Sequence, residues 1–238
     1  MEKGLNRNQL KYIAIAAMLC DHIGMFFFPV SAVTGGFLFR VFGRLTAPIM
    51  CYFLAEGYFY TSSKRKYGLR LFLFAVISQF AYAFAHYDKF EVHDLNMILT
   101  LFLSFLVLAC YDQIKKPVLK WSLVALLTAA STLCDWGIIA PLWVLTFWIG
   151  RDDRKKQAVS FSIIAAFMII GEALLLPMKG YHWYGELWQL GLFLFLPFLF
   201  LYNGRKGNGG AFSKWIFYIF YPLHLVILGM IKYNVFAF

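Results

Sequence analysis

Residues Leu10 to Pro29 read LKYIAIAAMLCDHIGMFFFP, an apolar stretch that carries an adjacent Asp21-His22 pair in its interior. At 1.5 Å per residue, twenty helical residues cross the roughly 30 Å hydrocarbon core of a bilayer, so the stretch is long enough to span. An ionisable side chain at that depth costs from roughly 3 kcal/mol to well above it, so such residues face a protein-lined interior and mark a function. Asp21 and His22 are therefore the first candidates for a working centre.

The rest of the chain supports the membrane reading. Of 238 residues, 61% are hydrophobic and only 14% charged, too few to cover a soluble globule. Apolar runs recur at Leu10–Pro29, Gly36–Tyr60, Tyr67–Ala85, Leu95–Tyr111, Pro117–Cys134, Trp136–Gly150, Ala158–Pro177, Tyr184–Tyr202 and Phe212–Tyr233. The expectation is an all-α, polytopic bundle of about nine transmembrane helices, forming one integral domain over residues 1–238. An eight-span alternative is open around Asp135-Trp136-Gly137, which separates two short runs.

The net charge of +10 follows from topology rather than from a nucleic-acid partner. With the amino terminus in the cytoplasm, Lys3, Arg7 and Lys11, then Lys64, Arg65, Lys66 and Arg70, fall on the cytoplasmic side. So do the clusters at 115–120, 151–156 and 205–214, whereas Lys89, Lys179 and Lys232 fall outside. That is the positive-inside bias of short loops. The first span lacks a small-x-small cleavage site, so it reads as a retained helix rather than a signal peptide. Cys20, Cys51, Cys110 and Cys134 lie in or beside apolar runs with no ligand spacing, and read as small packers. His86, Asp88, His93 and Asp94 match no zinc pattern and read as a solvated loop, so no metal is expected. The Gly-rich Asn203–Gly210 lacks a phosphate-loop order and reads as a linker.

Counting along each span brings several polar groups to one depth. His22 lies about 12 residues, or roughly 18 Å, from the start of its span. Gln79, Arg44 and His224 reach a similar level, Arg40 sits one turn from Arg44 on the same face, and Asn96, Thr100 and Glu172 lie near it. The physical account is a polar pocket inside the bundle. A purely structural Asp21–Arg44 ion pair is the competing account, as is a proline-kinked helix with a satisfied His224. Glu56 reads as a partner of Lys64 or Arg65 or as an interfacial residue rather than an acid catalyst, and the aromatic segment 181–188, with His182 and Glu186, as an interfacial belt or a pocket rim.

A histidine held by a carboxylate is a general base toward a hydroxyl or amine, and two guanidinium forks suit phosphate or a developing oxyanion. Together they make an acyl- or phosphoryl-transfer toolkit. A proton-coupled transporter or a lipid- or glycan-binding membrane protein would use some of the same groups. Against the transporter, no paired, interrupted spans recur in the two halves.

The chain resembles the TraX family of polytopic membrane proteins. The resemblance rests on Asp21-His22 in the first helix, and on Gly43-Arg44 with Pro48 and Glu56-Gly57 in the second. It continues in Tyr67, Arg70-Leu71 and Ser78-Gln79 in the third, and in Asn96 with Thr100-Leu101 in the fourth. It is dense over Leu10–Phe102 and looser afterwards, and the closing FYIFYPLHLVIL is also similar to the broader transmembrane acyltransferase superfamily. The resemblance implies transfer from cytoplasmic acetyl-CoA to an amine or hydroxyl of an extracytoplasmic acceptor, a peptide amino terminus such as a pilin's or a glycan. It implies a multi-pass protein of a bacterial cytoplasmic membrane, among membrane lipids and without nucleic acid. His22 would be the base and Asp21 its orienting carboxylate. Arg40, Arg44, Lys64, Arg65 and Arg70 would hold acetyl-CoA, and Gln79, Asn96, Glu172 and His224 would line the substrate channel.

Overall fold

The computed structural model describes residues 4–28, 35–87, 94–208 and 211–233. Among these residues the chain is helical without a strand. The helices are α1 (Arg7–Phe27), α2 (Gly35–Gly43), α3 (Thr46–Tyr60), α4 (Lys64–Tyr87) and α5 (Met97–Gln113). They continue with α6 (Pro117–Ala130), α7 (Ile139–Ile149), α8 (Arg154–Leu175), α9 (Phe195–Leu201) and α10 (Ala211–Lys232).

The nine apolar runs reappear as nine apolar helical segments among the described residues, five of them of spanning length: Arg7–Phe27, Gly35–Tyr60, Lys64–Tyr87, Arg154–Lys179 and Trp215–Lys232. The other four are Met97–Gln113, Pro117–Leu133, Ile139–Ile149 and Leu187–Leu201. The second span is interrupted at Arg44-Leu45, where α2 gives way to α3. The eighth is mostly 3-10 helix over Leu187–Leu194. At 2.0 Å per 3-10 residue and 1.5 Å per α residue, Leu187–Leu201 reaches about 26 Å, so the tighter winding stretches a short segment toward a full crossing.

Local chemistry sets the helix ends. Asn6 and Gln9 close a reciprocal capping box on α1, each side chain accepting the other's backbone N–H at 3.0 and 2.9 Å. Asn96 caps α5, Asp153 caps α8, and Pro117 opens α6 where its missing N–H costs nothing. The outer faces are apolar, as lipid requires: Phe167, Leu174 and Ile163 on α8 are 78%, 70% and 64% exposed.

Helix α10 lies against both α1 and α4, and α1 also packs on α2 and α3. Small residues permit the close approaches. A Cβ on Gly24 of α1 would stand 2.9 Å from the Phe39 Cβ of α2, and one on Gly229 of α10 would stand 2.8 Å from the Phe84 ring of α4. Two short backbone bridges tie the ends. Leu5 pairs with Leu201 and Asn203 at the basic end, and Leu95 pairs with Leu133 and Asp135 at the other.

Candidate active site

Successive residues on a helix point about 100° apart, so Asp21 and His22 leave α1 in different directions. Asp21 faces α2. One carboxylate oxygen accepts from Arg40 at 3.0 Å and the other from Arg44 in a short ion pair. Both guanidinium groups also lie over the indole of Trp188, at 4.1 Å for Arg40 and 4.5 Å for Arg44, and Arg44 lies 5.0 Å from the ring centre of Trp136. One carboxylate, two guanidinium forks and two indoles thus form a layer with one positive charge in excess, spread over the two arginines and the faces of the indoles.

His22 faces the other way, toward α10 and α4. Its Nδ1 lies 2.9 Å from the Met18 carbonyl oxygen, which can only accept, so Nδ1 carries the proton and Nε2 is left as the basic nitrogen. His86 and His224 repeat the device four residues after Tyr82 and Phe220, with Nδ1 at 2.9 and 2.8 Å from those carbonyls. The three imidazoles converge: ring centres are 4.8 Å apart for His22 and His224 and 5.9 Å for His22 and His86. The expected role of Asp21 as the orienting group of His22 is therefore corrected. Both Asp21 oxygens are spent on arginines, and the Nδ1 of His22 meets Met18 and His224 instead.

A cavity of about 470 Å³ joins these groups to the basic end of the bundle. Its walls run from Arg7, Lys11, Thr61 and Arg70, past Met50, Leu54 and Phe217, to Asp21, His22, Arg40, Arg44 and His86, and on to Asp94, Asp135 and Trp136. From Arg7 to His22 the wall climbs about 15 residues of α1, or roughly 22 Å, so the space is a passage along the bundle rather than a dimple. Its volume lies within the range of small-molecule sites. Among the described residues no group of three His, Cys, Asp or Glu is arranged to hold a metal.

Asp21, His22, Arg40, Arg44 and Arg70 line the passage, while His224 stands behind His22. Lys64 and Arg65 do not reach it. Lys64 pairs with Asp112 at 2.6 Å and Arg65 is exposed. Gln79 and Asn96 are not in the channel wall either. Asn96 is fully buried, donating to the Ala75 carbonyl and to Gln79 and accepting from the Ile98 and Leu99 amides, so the pair clamps α4 to the start of α5. Glu172 accepts from Gln189 at 3.1 Å, on the same 3-10 segment as Trp188 but outside the passage wall. Glu56 pairs with Arg7 at 3.1 Å and Tyr202 at 2.8 Å rather than with Lys64 or Arg65. Asp88 and His93 lie outside the described residues.

Several members escaped the sequence reading. His86 belongs to α4, not to a loop, and continues the buried face Leu71, Ala75, Ser78 and Tyr82 at helical spacing. That period was the available signal. Arg7 and Lys11 looked like ordinary positive-inside residues, and no local signal separates them from Arg65. Trp188 is buried against the guanidinium groups of Arg40 and Arg44, while Tyr181, Trp183 and Tyr184 are exposed.

The model of the family described as TraX protein matches residues 6–232. A probable fimbrial assembly protein FimC, serogroup H1, of Dichelobacter nodosus is 32% identical over 234 residues, covering 92% of this chain and 93% of that protein. No solved structure matches. With the match running through every helix that frames the passage, the chain belongs to the TraX family of membrane proteins.

Proposed function

We propose that this protein is a membrane acyltransferase that uses acetyl-CoA at the basic mouth of the passage and acylates an amine or hydroxyl of an acceptor at the opposite mouth. The carrying observation is the continuous wall from Arg7, Lys11 and Arg70 to His22. In a bacterial cytoplasmic membrane, with the basic loops inside, that passage would join the cytoplasm to the far side. The relative's name as a fimbrial assembly protein favours a pilin-like peptide as acceptor over a glycan.

The residues suit the donor at both ends. The mouth offers three cations for phosphates, and the buried Nε of Arg7 has no hydrogen-bond partner among the described residues. The buried Nε of Arg44, beside the arginine layer, is likewise without a partner, and an incoming oxygen would satisfy it. Acetyl-CoA supplies an acyl group already activated as a thioester. His22 Nε2 takes the proton of the attacking amine or hydroxyl and returns it to the departing sulfur, while Met18 keeps the Nδ1 proton in place. Asp21 and Trp188 hold Arg40 and Arg44 rigid, so their N–H groups meet developing charge without reorganising.

The test is consumption of labelled acetyl-CoA by purified protein in lipid discs, with peptide amines or polyols as acceptors. Transfer or slow hydrolysis is expected, reduced about 10²- to 10⁴-fold in a folded His22→Ala variant. Acetyl-CoA left intact by the wild type, or consumed equally by the variant, would overturn the proposal. Flux of substrate without its modification would favour a transporter.

A further inference from the structure

His22 Nδ1 faces a second acceptor besides the Met18 carbonyl. The Nε2 of His224 lies 3.2 Å from it, reaching across from α10 to α1. The protonation states follow from the backbone. His224 Nδ1 is 2.8 Å from the Phe220 carbonyl oxygen and must carry its proton there, so its Nε2 bears a lone pair. The two rings thus meet donor to acceptor, His22 Nδ1–H shared between Met18 O and His224 Nε2.

We infer that His224 is the positioning residue of His22, holding the imidazole of α1 in the tautomer and direction that leave Nε2 open to the passage. The inference rests on the reading of His22 as the base. It gives to a neutral imidazole on the last helix the duty that an adjacent carboxylate performs in a serine-hydrolase triad. His224 is suited to it, being 4% exposed, stacked on Phe220 with ring centres 4.9 Å apart and planes 7° from parallel, and flanked by Tyr221. The groups that face His22 from the packed elements are His224 on α10 and His86 on α4; Asp21, its neighbour in sequence, is turned to Arg40 and Arg44. No carboxylate therefore competes for the Nδ1 proton. When His22 takes a proton at Nε2, the partner that shares its Nδ1–H is already in place, which is what pre-organisation of a base requires.

The consequence is a specific ranking of variants. His224→Gln keeps an acceptor oxygen near the position of Nε2, whereas His224→Phe keeps the ring volume and removes the acceptor. Acetyl-transfer kinetics in lipid discs should show kcat lowered at least tenfold in His224→Phe, KM for acetyl-CoA within about twofold of wild type, and kcat of His224→Gln within about threefold of wild type. Loss of kcat to the same degree in both variants, or in neither, overturns the assignment. A second measurement needs no turnover and no change at His224. In ¹⁵N-histidine-labelled wild-type protein the His224 Nε2 resonance should be that of a hydrogen-bonded lone-pair nitrogen, and it should move toward the free value in His22→Phe. An unmoved resonance overturns the pairing. Wild-type protein inert toward acetyl-CoA would refute the acyltransferase reading, while the nitrogen spectrum would still decide whether the two rings are joined.

Discussion

Gly43 and Asp21 are in direct apposition across the α1–α2 interface: a Cβ built on Gly43 would stand 2.7 Å from the Asp21 Cα and 2.5 Å from its Oδ1. The carboxylate that ties Arg40 and Arg44 together therefore occupies space that only glycine leaves free. Gly43→Ala should push α2 off α1 and detach at least one arginine. We expect a stability loss of about 1–3 kcal/mol by overpacking and at least a tenfold fall in acetyl transfer. Unfolding in detergent and turnover in lipid discs report the two effects, and wild-type values in both would show that the contact can relax.

The basic residues separate into those that line the passage and those that do not. Lys11→Ala and Arg70→Ala each remove a cation from the mouth, and each should raise KM for acetyl-CoA about tenfold, the value of a charge-assisted contact. Arg65 is exposed and Lys64 is engaged with Asp112, so alanine at either should leave KM within about twofold. Lys64→Ala should cost at most about 1 kcal/mol of stability, as for other exposed pairs. A stronger effect of Arg65→Ala than of Arg70→Ala would place the donor elsewhere.

Asn96 distinguishes scaffold from channel. It caps α5, and its amide group donates to Ala75 and Gln79, all at a site with no exposed surface. Asn96→Ala loses the cap and strands buried partners, which should cost about 2–3 kcal/mol. The KM values of the folded fraction should stay within about threefold of wild type, because Asn96 is not in the passage wall. A large rise in acceptor KM with unchanged melting would return Asn96 to the substrate.

The fold was legible because lipid imposes a simple rule on composition: every run that could span reappears as helix, down to the short pair around Asp135. Level along a span was also informative: His22 and Arg44 line one passage, and His224 meets His22 from behind. Direction around the helix axis was not. Counting residues cannot say that Asp21 turns to α2 while His22 turns to α10, since that depends on which helices later in the chain pack beside α1. For the same reason Gln79 and Asn96, at the right depth, proved to be a clamp between α4 and α5. Trp188 gave no separate signal because an indole at a membrane boundary and an indole beneath two guanidinium groups look alike in sequence.

Asp135 provides a prediction in pH. It sits in the turn between α6 and α7, outside the spanning helices, with its amide on the Leu95 carbonyl and its own carbonyl accepting from Thr100. Burial pushes its carboxyl up from the usual range to about 6, with Arg44 opposing the rise and Asp21 adding to it. A raised carboxyl pKa in the folded state means that folding favours the protonated form. The corresponding stability is complete below the unfolded value near 3.9 and is lost as pH climbs through about 6. At pH 7 the ionised carboxylate then costs on the order of 2–3 kcal/mol, which Asp135→Asn should recover. The measurement is the difference in melting temperature between Asp135→Asn and wild type from pH 4.5 to pH 8. It should be smallest at the acid end, widen up to about pH 6 as the wild type alone loses stability, and level off above that. A difference that does not change with pH would show that the carboxylate is stabilised as an ion, with Arg44 prevailing over burial.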